Sequence, residues 1–145
     1  MKMKLLFFTI VLSAALFTGC SKTVDVPISN EQKVVNFLTG VGNRYWRLTK
    51  ISVNTIDQPL TNDQLKFTKT YTINTTQTFA GTFTNSDGYN GKWALNGPIN
   101  LIEVINNNPA GPVQISYIIN EITETKLDIE YTANFKTVRE VYFGF

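Results

Sequence analysis

Residues 65–73, LKFTKTYTI, decide the fold. Phe67, Lys69, Tyr71 and Ile73 fall on one parity and Thr68, Thr70 and Thr72 on the other. A period of two sends successive side chains to opposite faces of a strand, and a helix cannot reproduce it. The pattern recurs in Phe79, Gly81 and Phe83, and in Leu127, Ile129 and Tyr131 set against Asp128 and Glu130. Working outward, eight segments rich in β-branched and aromatic residues read as strands: 45–53, 65–73, 78–83, 91–96, 99–105, 112–122, 126–131 and 138–145. The sequences between most of them, such as NSDG, NGP and TET, suit hairpins and are too short for the crossover helix that parallel strands need. The first strand breaks parity, with Trp46 and Leu48 on one face and Ile51 and Val53 on the other; a bulge near Thr49 and Lys50 would bring all four inward.

Short hairpins throughout predict an all-β fold, an eight-stranded antiparallel up-and-down barrel rather than a sandwich, which needs a long connection. Only the segment around residues 54–64 has such length. Upstream, SNEQKVVNFL predicts one short helix, with Ser29 and Gln32 at capping-box spacing and an apolar stripe of Val34, Val35, Phe37 and Leu38. So short a helix needs support from the domain, and an open barrel end would supply it.

The N-terminus carries a charged MKMK, an apolar run of about thirteen residues and a small-residue close, TGC, which is the pattern of a secretory signal. The run is shorter than the roughly 20 residues a spanning helix needs. Thr18, Gly19 and Cys20 resemble the lipobox of bacterial lipoproteins, although Phe17 stands where Leu is usual. That resemblance implies cleavage before Cys20 and acylation of its sulfur and amino end. Several acyl chains, at about 0.8 kcal/mol per buried methylene, would hold the chain on a membrane. The expected organisation is a signal peptide at 1–19, a lipidated tether and helix at 20–44, and the barrel domain at 45–145. The same resemblance favours the outer membrane, since Ser21 stands where an inner-membrane retention signal has Asp, and the facing, periplasmic or surface, stays open.

Composition excludes several classes. Cys20 is the only cysteine and there is no histidine, so no disulfide forms within the chain and no metal site of the zinc type is expected. Thirteen basic against eleven acidic residues become eleven against eleven once Lys2 and Lys4 leave with the signal, which argues against a nucleic-acid partner. Without histidine the commonest general base is missing. The carboxylate pairs Asp128 with Glu130 and Glu121 with Glu124 sit on an outer strand face and beside a turn, where acidic residues are ordinarily solvated. Neither an enzyme nor a cofactor is expected.

The motifs Trp46-x-Leu48, Gly91-x-Trp93-x-Leu95 and the hairpin carrying Tyr117, Ile119, Ile122, Thr123, Leu127 and Ile129 resemble the small lipocalin-like domains of Bacteroidetes-type lipoproteins. The resemblance covers about residues 38–145 and implies a small apolar or amphiphilic ligand in the barrel mouth. It also implies that a late-strand arginine, Arg139, packs over Trp46; otherwise Arg139 reaches water. Inward aromatic residues, Trp46, Phe67, Tyr71, Phe83, Trp93, Tyr117 and Tyr131, are the candidate lining, with Phe79 on the same parity. Eight strands enclose space either for side chains alone or for one small ligand. Lys69 and Glu103 share parity with apolar neighbours, where they either meet a polar ligand group or snorkel to water. The rival reading is a filled barrel that docks an envelope protein or glycan through Tyr89 and the NSDGYNG turn, or through the NNNPAGP loop.

Overall fold

The computed structural model describes residues 28–41 and 44–145. The expected signal and cleavage site, with Cys20, lie outside the described residues. Helix α1 (Asn30–Thr39) is followed by β1 (Tyr45–Val53), β2 (Ile56–Gln58), α2 (Asn62–Lys66), β3 (Thr68–Asn74), β4 (Gln77–Asn85) and β5 (Asn90–Leu95). Strands β6 (Asn100–Ile105), β7 (Val113–Ile122), β8 (Lys126–Ala133) and β9 (Lys136–Gly144) complete the chain.

Every neighbouring pair is antiparallel, and β1 pairs with both β3 and β9, so eight strands close into a barrel with β2 as a short flap on β1. Closure leaves the long Thr-rich strands without free edges. In β1 the register with β9 slips between Leu48 and Lys50, leaving Thr49 as the extra residue of a bulge. Beyond it Ile51 and Val53 pair with the inward positions Glu140 and Val138, so both halves of β1 serve the interior.

One stretch departs from the expected strands. Residues 65 and 66 belong to α2, not to a strand, because Thr61 and Gln64 form a reciprocal capping box that starts a helical turn. Phe67 ends that turn, and its carbonyl accepts from Leu48 N at 3.0 Å.

The barrel's two ends differ. At the end where β1 begins and β9 finishes, α1 packs on β3, β4 and β7. Ser29 caps it, accepting from Gln32 N at 3.1 Å, and Gly40 ends it at φ 67°. Its Val35 and Leu38 are buried in one cluster with Trp46, Leu101 and Leu127, and Trp46 Nε1 donates to the Leu38 carbonyl at 2.8 Å. Burying each such side chain contributes about 1.5–3 kcal/mol, so the plugged end supplies much of the stability. Gly91 permits close packing along the wall. A Cβ there would stand 1.9 Å from Val104 O and 2.8 Å from the Phe83 ring. Phe79, expected to point inward, lies one position before the last β4–β5 pair, Ala80 with Ala94, and is 37% exposed.

Candidate functional site

A cavity of about 160 Å³ opens between the strand ends opposite α1. Phe67 lines it from the end of the α2 turn, Lys69 from the start of β3, Phe83 and Asn85 from the end of β4, and Glu103 and Ile105 from β6. Ile115 and Tyr117 come from β7, Tyr131 from β8, and Glu140 and Tyr142 from β9. Alternation explains the set, since in each strand these residues share the inward parity of the core.

Charged groups sit inside this space. Lys69, 5% exposed, reaches across the barrel to Glu103, 1% exposed, donating to its two carboxylate oxygens at 3.2 and 3.1 Å and to Tyr117 Oη at 3.2 Å. Tyr71 and Tyr117 both donate to Glu103, at 2.5 and 3.2 Å respectively. A second carboxylate, Glu140, accepts from Tyr142 at 2.5 Å and from Tyr131 at 3.3 Å. The Lys69 ammonium also lies 4.9 Å from the Tyr117 ring centre and 5.8 Å from that of Tyr142. Among the described residues no buried side-chain nitrogen or oxygen lacks a hydrogen-bond partner.

Burial opposes the Lys69 charge, but the surrounding Tyr71, Glu103 and Glu140 oxygens more than offset it and hold the ammonium above the ordinary lysine value. Tyr71 and Tyr117 are driven well above the usual phenol value by burial and then by Glu103, and Tyr142 by burial and then by Glu140. Burial and Glu140 push Tyr131 up to about 12. At neutral pH these phenols are therefore donors, each aimed at a carboxylate.

Of the residues expected to line a ligand site, Phe67, Phe83, Tyr117 and Tyr131 meet around this cavity. Tyr71 sits directly behind it through Glu103, fully buried. Trp46 is at the plugged end. Trp93 donates to Thr72 O at 3.1 Å and borders a groove of about 380 Å³ on the outer face, beside Ala80, Ala94, Ile102 and Val104. Lys69 and Glu103 do not snorkel to water; they pair.

Arg139 does not cover Trp46. It lies on the outer face of β9, its side chain half exposed, and grips Asp128 with two bonds of 2.7 and 2.6 Å. Burial would raise the Asp128 carboxyl, but Arg139 and then Lys126 pull it below the ordinary aspartate value. The register dictates this, because Trp46 faces Gly144 and Leu48 faces Tyr142, which turns the even positions of β9 inward. Arg44 does what was expected of Arg139: its guanidinium carbon lies 5.7 Å from the Trp46 ring centre, and Nη1 donates to Phe37 O at 2.6 Å.

Sequence reasoning missed Glu140 and Tyr142, both on that misassigned parity. The two loops considered as an interaction surface are bonded to each other: Asn107 accepts from Asn90 N at 2.9 Å and donates to Gly88 O at 2.8 Å.

A closed eight-stranded antiparallel barrel, plugged at one end and hollowed at the other, belongs to an architecture that encloses small ligands. The family model for the lipocalin-like domain matches residues 41–129, more than half of the chain. The chain belongs to the lipocalin-like domain family, and its barrel is consistent with ligand binding. No curated protein and no solved structure matches it.

Proposed function

We propose that this protein is a lipoprotein of the outer membrane, anchored through acylated Cys20, whose barrel mouth binds a small amphiphilic molecule without transforming it. One observation carries the binding reading: the mouth cavity combines aromatic walls with charged and phenolic groups. A wholly apolar guest would strip water from Glu140 without replacing its bonds, which costs free energy. Amphiphilic guests therefore fit better than the apolar ones the family resemblance also allowed. The anchor reading is supported by the lipobox-like LFTGC and by the absence of any other cysteine.

Native mass spectrometry of the full-length protein, produced in a bacterium that processes lipoproteins and extracted in detergent, tests both parts. The expected species begins at Cys20, carries acyl mass, and holds a small adduct that is lost in an Ile115→Trp variant whose indole fills the cavity. An unacylated chain would refute the anchor. No adduct, or one retained in folded Ile115→Trp, would refute the cavity, and a co-purifying protein in its place would move the function to the outer surface.

A further inference from the structure

We infer that the mouth cavity selects a small organic ammonium ion and places its charge against Glu140; this rests on the cavity being the ligand site. The formal charges lining it are one positive, Lys69, and two negative, Glu103 and Glu140. The positive one is committed. Lys69 is bonded to both oxygens of Glu103 and to Tyr117, which leaves it no free donor aimed at a guest.

Glu140 is placed differently. Among the described residues no lysine or arginine forms an ion pair with it, and its two donors, Tyr131 and Tyr142, are neutral phenols. A carboxylate offers about four acceptor positions, and these bonds occupy two of them. One net negative charge thus faces a partly enclosed space, where charge interactions are stronger than in water.

The walls suit the same guest. Phe67, Phe83, Tyr117, Tyr131 and Tyr142 present rings around the cavity. Ring faces attract cations, and more strongly once the cation is desolvated. The molecule already uses this attraction internally, since Lys69 packs against Tyr117 and Tyr142. An anionic guest would meet two carboxylates and a lysine already spoken for, and a neutral guest would leave the excess charge facing it. Size limits the choice further. A dry cavity of roughly 150 Å³ holds benzene, so about 160 Å³ admits a single ring or a short branched chain bearing one ammonium group.

Isothermal titration and proton–nitrogen NMR of the full-length protein in detergent with benzylammonium, benzyl alcohol and benzoate test this, the three being close in shape and different in charge. The expected result is benzylammonium binding that shifts the Ile115, Tyr131 and Tyr142 amides, with the alcohol and benzoate weaker by roughly thirtyfold or more. Folded Glu140→Gln should lose that preference while still admitting benzyl alcohol. Equal or tighter binding of benzyl alcohol or benzoate to the natural protein would overturn the charge inference and leave the ligand site standing. No binding of any probe would overturn both. The comparison among probes needs no variant, so it stands even if Glu140→Gln fails to fold.

Discussion

Replacing Lys69 with Met removes one charge from inside the barrel while nearly conserving volume. Glu103, 1% exposed, would keep only the Tyr71 and Tyr117 phenols as partners. Breaking a buried pair in this way costs about 3–5 kcal/mol, because the remaining charge has lost both water and its counter-ion. For a domain of this size that corresponds to a fall in Tm of roughly 10–20 °C. Glu103→Leu alone should cost a similar amount, since Lys69 then keeps only Tyr117 as a hydrogen-bond acceptor. The double variant Lys69→Met/Glu103→Leu should not show the sum. It buries no unpaired charge, and its main remaining cost is the Tyr71 and Tyr117 hydroxyls left without their acceptor, about 1–3 kcal/mol each. Adding Tyr71→Phe should recover the Tyr71 share of that. Urea unfolding followed by far-UV circular dichroism gives the four free energies, and the coupling is read from the cycle. If Lys69→Met falls within about 1 kcal/mol of the natural protein, or the double variant is as unstable as both singles together, the pair does not brace the barrel.

Two further outcomes follow from the same geometry. Absorbance titration at the phenolate band should show four of the six tyrosines, Tyr71, Tyr117, Tyr131 and Tyr142, still neutral past their ordinary value of about 10. Their folded values are raised, so the stability they contribute is complete below about pH 10 and is lost as pH climbs through the folded values; all four ionising together near pH 10 in folded protein would contradict the burial described. At the plugged end, Arg44→Ala should free α1 and change Trp46 fluorescence, whereas Arg139→Ala should leave that emission alone, and the reverse result would restore Arg139 to the place over Trp46.

The barrel was legible where one face of a strand is plainly apolar. Strands β3 and β8 alternate cleanly, and the broken parity of Trp46 and Leu48 against Ile51 and Val53 placed the β1 bulge near Thr49 and Lys50, where the register with β9 slips. Strand β9 was not legible in this way, because VREVYFGF carries apolar residues on both parities. Hydrophobicity favoured Val141, Phe143 and Phe145, yet the inward set is Glu140, Tyr142 and Gly144. Gly144 held the clue. A Cβ there would stand 2.9 Å from the Trp46 ring, so only glycine leaves that ring its space. Missing that, the reading also missed the second carboxylate of the mouth. Alternation put Lys69 and Glu103 on the parity of their apolar neighbours and left open whether they snorkel to water, and their meeting was not foreseeable from strands three apart in the wall: no local pattern says which charges will face each other across a closed barrel.

The two ends divide the work. At one, α1, Trp46 and Arg44 bury apolar surface against the strand ends; at the other, charge replaces apolar filling and space remains. A mouth whose aromatic wall carries carboxylates gains little from a wholly apolar guest, because such a guest would leave lipid for charges that it cannot satisfy. It gains most from a guest drawn out of water that brings its own compensating charge. In the proposed anchored form the acylated residue precedes α1 by ten positions, a reach of at most about 35 Å, so the tether joins the domain through its plugged end. Such an attachment lets the mouth face the aqueous compartment, where ammonium ions are found, and not the bilayer. Anchor and site are thereby consistent with each other on physical grounds, although each was inferred from different residues.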